Sequence, residues 1–246
     1  MKVYISIPCA DQKIFYKCSE SLFKLIKDFE KNNIDYSINY SHGSLIPRIR
    51  NNETSKFLKS DCDYLLFIDS DIFNYEHYIV NILKDMVLYN YKIVGLSYPL
   101  KQFNNDLLLH NIIKKNQLFD TCTKFNINFI SPNLKENINN IDARGYLEVQ
   151  HLPTGCLLIY KDVLSQLGLC NSIKSYLENN NRIYNFFDCR VHNDKYLSED
   201  YSFSQHCIDA GIKNYCFVNA NLSHIGYYNY NGSLRDCMTK YYLINK

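Results

Sequence analysis

The chain has 246 residues, 46% of them hydrophobic, with 27 Lys and Arg against 25 Asp and Glu for a formal net charge of +2. That is enough apolar material for one large domain, and a charge so near zero, with no local basic patch, excludes a general nucleic-acid binder. No apolar run approaches the ~20 residues needed to span a bilayer, and ten scattered cysteines without a Cys-x-x-Cys pair read as reduced, mostly buried side chains of a soluble cytoplasmic protein rather than as a disulfide or zinc scaffold.

Met1-Lys2-Val3-Tyr4-Ile5 opens a first strand running to Ile7, too short an apolar run for a signal peptide, and Pro8-Cys9-Ala10 makes the loop after it. Cys18, Leu22, Leu25, Ile26 and Phe29 recur at helical spacing up to a stop at Lys31-Asn32-Asn33. A second strand covers 34–40, and a helix passes through Arg48, Arg50 and Asn51 to Phe57-Leu58. Tyr64-Leu65-Leu66-Phe67-Ile68 is apolar at every position, the pattern of a strand buried on both faces. A third helix carries Ile79, Ile82, Leu83 and Met86, and Ile93-Val94-Gly95-Leu96 is a fourth strand entering Ser97-Tyr98-Pro99-Leu100-Lys101.

This alternation predicts an α/β, Rossmann-like domain with a mostly parallel central sheet flanked by helices. No G-x-G-x-x-G follows the first strand, which disfavours a dinucleotide enzyme. Residues 102–142, rich in Asn, read as irregular, a candidate flexible flap. Order resumes in a strand at 146–151, then Pro153-Thr154-Gly155-Cys156 and the apolar strand to Tyr160, with a helix from Asp162. Ser198 caps a helix expected to bury Phe203, Cys207, Ile208 and Ala210 and to stop at Gly211. A strand at 215–218 and Leu222-Ser223-His224-Ile225-Gly226 complete the chain before a Tyr-rich tail. No linker separates two domains.

Three places carry chemistry. The central strand ends in Asp69-Ser70-Asp71; two hard oxygen donors at the carboxyl edge of a parallel sheet suit Mg or Mn, though acids also open loops and cap helices. Glu199-Asp200 stands in the first turn of a helix, where acids serve either the helix dipole or catalysis. His224, at a strand end before a glycine, is a metal ligand or an ordinary surface histidine.

Taken together, Ile5-Ser6-Ile7-Pro8, Ile49-Arg50-Asn51, Phe67-Ile68-Asp69-Ser70-Asp71, Pro153 to Ile159, and Ser198 to Phe203 closing on His224-Ile225-Gly226 resemble, in order, the metal-dependent glycosyltransferases of the GT-A fold. The nearest likeness is to small stand-alone members of bacteria, phages and large DNA viruses; a viral origin would put the protein in the host cytoplasm. The resemblance implies one domain over 1–246, with a nucleotide-binding half (1–101) and an acceptor or catalytic half (102–246). It implies an Mn2+ or Mg2+ site of Asp69, Asp71 and His224, and a nucleotide-sugar donor, UDP-linked first among the candidates. Pro8, Cys9, Ala10, Arg50 and Asp69 would lie against the nucleotide, with Asp69 on the ribose or sharing the metal. Gly155 would leave room for the donor sugar. A glycan or other hydroxyl acceptor would lose its proton to Asp200, with Glu199 beside it.

Ile49 departs from a usually small position, Tyr160-Lys161 and Gln205-His206 from usually more basic ones. Two other enzyme classes share parts of the pattern. A haloacid-dehalogenase-type phosphatase wants its aspartates on the first strand, and a nucleotidyltransferase wants a Gly-rich basic amino-terminal loop, absent here. A catalytically dead sugar-binding relative would carry a damaged acid pair, and both pairs are intact.

Overall fold

The computed structural model describes residues 1–105, 108 and 123–244. Strand β1 (Lys2–Pro8), helix α1 (Tyr16–Lys31), β2 (Asp35–Ser41), α2 (Ile46–Lys59) and β3 (Tyr64–Ile68) alternate as the periodicity requires. They are followed by β4 (Ile72–Phe73), α3 (Glu76–Tyr89), β5 (Ile93–Leu96), β6 (Pro99–Phe103), β7 (Thr123–Phe125), α4 (Leu134–Asn139), β8 (Tyr146–Val149) and β9 (Cys156–Tyr160). Then come α5 (Lys161–Gly168), β10 (Ser175–Glu178), β11 (Asn181–Tyr184), β12 (Arg190–His192), β13 (Lys195–Leu197), α6 (Glu199–Asp209), β14 (Asn214–Phe217), β15 (Asn221–Ile225), β16 (Asn229–Ser233) and α7 (Leu234–Ile244).

Seven strands form the central sheet in the order β2-β1-β3-β9-β5-β14-β8. β1, β2 and β3 are mutually parallel, β9 is antiparallel to both β3 and β5, β14 is parallel to β5, and β8 is antiparallel to β14. Five strands therefore share one direction, and the sheet is mostly parallel, as expected. One detail differs from a simple run of parallel strands: β9 is inserted between β3 and β5, joining the carboxyl half of the chain to the centre of the sheet.

The alternation of side chains along β3 sorts the core into two layers. Leu66 and Ile68 face a cluster with Leu22, Leu25 and Phe29 of α1 and Ile79, Leu83 and Met86 of α3. Leu65 and Phe67 face the other cluster, with Phe57 of α2, Leu164 of α5 and Phe203 of α6. All five β3 side chains are buried, so the central strand packs on both faces.

The smaller ladders were not expected. β10–β11 and β12–β13 are hairpins turning through Asn179-Asn180 and Asn193-Asp194, all four with positive φ, the signature of a two-residue turn matched to strand twist. β6 pairs with β7 and α4 is regular, so these parts of 102–142 are more ordered than anticipated, while 126–133 is irregular; residues 106–107 and 109–122, also read as part of it, lie outside the described residues. Along α6, Phe203 and Cys207 are buried as expected, whereas Ile208 and Ala210 are exposed. The middle of α6 is packed from 202 to 207, while Glu199 and Tyr201 in the first turn are half-buried and 208–210 are exposed. Seven of the nine described cysteines are buried; Cys122 lies outside the described residues. No helix among the described residues is long and apolar enough to cross a membrane.

Candidate active site

The acids after β3 sit in a tight turn at the carboxyl edge of the sheet. Ile72 N–H donates to Asp69 O (3.1 Å), Asp69 N–H to Gly155 O (2.8 Å) and Phe15 N–H to Ser70 O (3.0 Å). This turn ends the strand alternation, so Asp69 and Asp71 find different partners.

Asp69 turns toward α2. Arg50 Nη2 donates to Asp69 Oδ1 at 2.8 Å, and Arg50 Nε stands 3.7 Å from Glu199 Oε1. The guanidinium is 2% exposed and lies over the Phe67 ring, 5.2 Å from its centroid. Burial works against its charge, but Asp69 and Glu199 outweigh burial and hold it firmly protonated. Arg50, expected to lie against the nucleotide, ties the two acidic segments together. Its Nε and Nη1 are buried without hydrogen-bond partners, so their charge is balanced by the two carboxylates alone.

Asp71 turns the other way. β15 pairs antiparallel with β4, placing His224 opposite Ile72, and Ile225 N–H donates to Asp71 O (2.9 Å). That register brings His224 Nε2 to 3.3 Å from Asp71 Oδ2, while Lys101 Nζ donates to the same oxygen at 2.7 Å. Burial pushes the Asp71 carboxyl up, and His224 and Lys101 together hold it below its ordinary value. His224 Nδ1 lies 2.8 Å from Pro99 O; a carbonyl only accepts, so Nδ1 carries a proton. Nε2 then meets the Asp71 carboxylate oxygen either as an N–H donor or, in the neutral ring, with its lone pair. Two acceptors facing one another require a proton or a cation between them, and an imidazole oriented by a carbonyl is the usual support of a metal ligand.

Among the described residues no three His, Cys, Asp or Glu side chains form a ready-made metal cage. Asp71 and His224 come together as expected; Asp69, the third expected ligand, is held by Arg50. The pair still fits Mn or Mg, because such ions commonly take one or two protein ligands and complete their shell with substrate phosphates and water.

Between these groups stands Tyr98, which the motifs did not single out. Its hydroxyl accepts from Gly155 N–H at 3.2 Å, and its ring meets His224 edge to face at 5.2 Å. Burial, then Asp69 and Asp200, push the phenol far up, so it is a neutral hydrogen-bonding group. A Cβ on Gly155 would lie 2.5 Å from the Tyr98 hydroxyl oxygen. The space that Gly155 leaves is thus filled by Tyr98, not left open for a sugar ring.

The second acid pair begins α6. Asp200 is 7% exposed; its Oδ1 accepts from Ser198 Oγ and from Tyr201 N–H (2.9 Å), and its Oδ2 from Asn126 Nδ2 (3.2 Å). Ser198 is the N-cap residue but gives its hydroxyl to Asp200 in place of a helix N–H. Burial and the neighbouring Asp200 raise the Glu199 carboxyl, against the pull of Arg50. Asn126 also accepts from the Tyr201 hydroxyl, and Tyr201 stacks on His151 at 5.1 Å. These two rings line a cavity of about 670 Å³, with Asn128, Tyr196 and Gln205 among its walls.

At the other end, Pro8 and Cys9 are buried and Ala10 is exposed. Cys9 N–H donates to Ser41 O (2.7 Å), so this loop offers backbone and Ala10 rather than polar side chains. Burial raises the Cys9 thiol, and the charges of Asp11 and Asp69 add to that, which puts the loop beside the acidic turn. Lys101, Tyr98, Asn126, His151 and Tyr201 are the site's neighbours that sequence reasoning passed over. Only the Pro after Tyr98, which forbids a continuous central strand, hinted that the chain turns into the site there.

No protein-family model matches the sequence, and no curated protein matches it. Among solved structures, A197 from STIV is similar over 92% of this chain and 86% of that one, with 16% identity and a TM-score of 0.52. A mutant of Drosophila β-1,4-galactosyltransferase 7, in complex with manganese, UDP-Gal and xylobiose, matches over 92% and 71%, with 14% identity and a TM-score of 0.40. S. aureus TarS in complex with UDP-GlcNAc matches over 95% of this chain and 58% of its own length, with 10% identity and a TM-score of 0.43. The likeness to A197 shows the architecture, and the chain has the GT-A fold that its motifs led us to expect.

Proposed function

We propose that this protein is a divalent-metal-dependent glycosyltransferase that moves a sugar from a nucleotide-sugar, UDP-linked first among the candidates, to a hydroxyl acceptor. One observation carries the reading. At the sheet edge, Asp71 Oδ2 and His224 Nε2 face each other at 3.3 Å, while Arg50 links Asp69 to Glu199. The cation-seeking pair and the acids tied by Arg50 thus lie around one buried phenol, Tyr98.

Asp71 and His224 would hold the cation, which when bound supplies Lewis-acid stabilisation to a diphosphate leaving group. Asp69, fixed through one oxygen by Arg50, keeps its other oxygen for the ribose or the metal. The unpartnered Nε and Nη1 of Arg50 add positive potential beneath the phosphates. Asp200 takes the acceptor proton on Oδ2, its other oxygen being fixed by Ser198 and the Tyr201 N–H. Positioning of this kind is what general-base catalysis needs. The cavity beside it offers aromatic faces and planar amides, a lining suited to a saccharide acceptor.

A donor screen tests this reading. Thermal shift with UDP, GDP, CMP and dTDP nucleotides, with and without Mn2+, should single out one base, with the shift requiring the metal. At a ligand concentration of about 100 Kd the stabilisation is about 2.7 kcal/mol. No shift with any nucleotide in Mn2+ would contradict the proposal.

A further inference from the structure

Lys101 is not among the motif residues, yet its ammonium makes the shortest polar contact to Asp71, 2.7 Å at Oδ2. Its placement is built by the fold. β6 carries both Pro99, whose carbonyl orients His224, and Lys101 two residues on, so one short strand holds both partners of Asp71. The stem of Lys101 runs over Gly226: a Cβ there would lie 3.0 Å from its Cδ and 3.3 Å from its Cγ. Gly226, just beyond His224, keeps the lane open.

The oxygen that Lys101 holds is the one His224 Nε2 faces. A lysine ammonium is a compact point charge on a flexible stem, and here it supplies positive charge directly at that oxygen. A divalent ion bound between Asp71 and His224 would have to share that oxygen with it at close range, and like charges repel. The side chain is 42% exposed, so the ammonium has solvent to move into.

We propose that Lys101 is the resident cation of this site: it neutralises Asp71 in the metal-free protein, and a divalent ion binds by displacing it. The proposal rests on the metal reading above and adds that the metal affinity is set by a competitor within the chain. The displaced ammonium then faces the entering diphosphate, the nearest strong negative charge. Metal and nucleotide should accordingly bind best together.

The test is calorimetric titration of the folded protein with Mn2+ alone, comparing wild type with Lys101→Met, Lys101→Gln and Lys101→Arg. Removing the charge should tighten Mn2+ by about tenfold in the Met and Gln variants, while Arg, which keeps the charge, stays near wild type. Two neutral variants guard against a fold defect in either, and circular dichroism checks both. Mn2+ binding to the neutral variants with unchanged or weaker affinity would overturn the role of Lys101 and leave the metal site standing. Absence of Mn2+ binding in wild type and in both folded neutral variants would overturn the metal reading itself, and this inference with it.

Discussion

Arg50→Met isolates the tie between the two acidic segments. Met preserves most of the stem's packing over Phe67 but removes a charge that is 2% exposed and faces Asp69 at 2.8 Å and Glu199 at 3.7 Å. Removing one partner of a buried ion pair costs ~3–5 kcal/mol. Asp69 and Glu199 retain 29% and 20% of their side-chain exposure, so solvent screens part of the loss and about 2–3 kcal/mol is expected. For a chain of this length that lowers Tm by about 5–10 °C. The deficit should depend on pH. A carboxyl raised in the folded state, as Glu199 is by burial and by Asp200, contributes stability that is complete below its unfolded value and is lost as pH rises through the folded one. Arg50 is what restrains that rise, so without it the loss at neutral pH deepens. Scanning calorimetry of both proteins between about pH 5 and pH 7 should show the gap narrowing toward the acid side. A variant that melts within about 2 °C of wild type at neutral pH, or a gap independent of pH, would refute the tie.

Gly155→Ala should force Tyr98 out of place and destabilise by about 1–3 kcal/mol, visible in urea titration; a neutral result would mean that the 2.5 Å approach relaxes freely. Asp200→Asn separates capping from catalysis when Tm and turnover are read on the same sample: a base predicts kcat down by about 10²–10⁴-fold with nucleotide affinity unchanged. A purely structural acid predicts a loss of ~0.3–1 kcal/mol with turnover intact. Glu199→Gln should fall less than Asp200→Asn. Asp142 lies away from the site and accepts from the backbone N–H of Arg144 and Tyr146, both at 2.9 Å. Burial pushes its carboxyl up, but these bonds and the Arg144 side chain hold it below its ordinary value. Its contribution is therefore present above an unfolded value of 3.8 and is lost as pH falls through the lower folded one. Asp142→Asn should cost about 1–2 kcal/mol at neutral pH and flatten the acid limb of a Tm-versus-pH profile.

The parts of the fold legible in the sequence are those where one physical rule decides. An unbroken apolar run such as 64–68 must be buried on both faces, and helices with apolar residues at 3.6 spacing must face the sheet. The insertion of β9 between β3 and β5 was not legible, because Cys156–Tyr160 is apolar throughout and its pattern carries no direction. The hairpin turns at Asn179-Asn180 and Asn193-Asp194 were legible in principle, since Asn and Asp tolerate positive φ; the recurrence of Asn along the whole chain masked them. In the site, the acid pairs and His224 stand out by residue type and position. Their partners do not: Arg50 reaches Glu199 across 149 positions of sequence, and Lys101 meets Asp71 only once β6 folds beside β15, the partner of β4. Nothing local marks Gly155 as the seat of Tyr98 rather than of a ligand, because the clash that requires a glycine comes from another strand end.

The central claim is that Asp71 and His224 hold a cation for a nucleotide-sugar, and calorimetric titration of UDP into wild type and Asp71→Ala, each with and without Mn2+, tests it most directly. The account predicts UDP binding that strengthens in Mn2+ for wild type, and for Asp71→Ala a folded protein whose Mn2+-dependent gain is gone. UDP binding to Asp71→Ala in Mn2+ as tight as to wild type would contradict it.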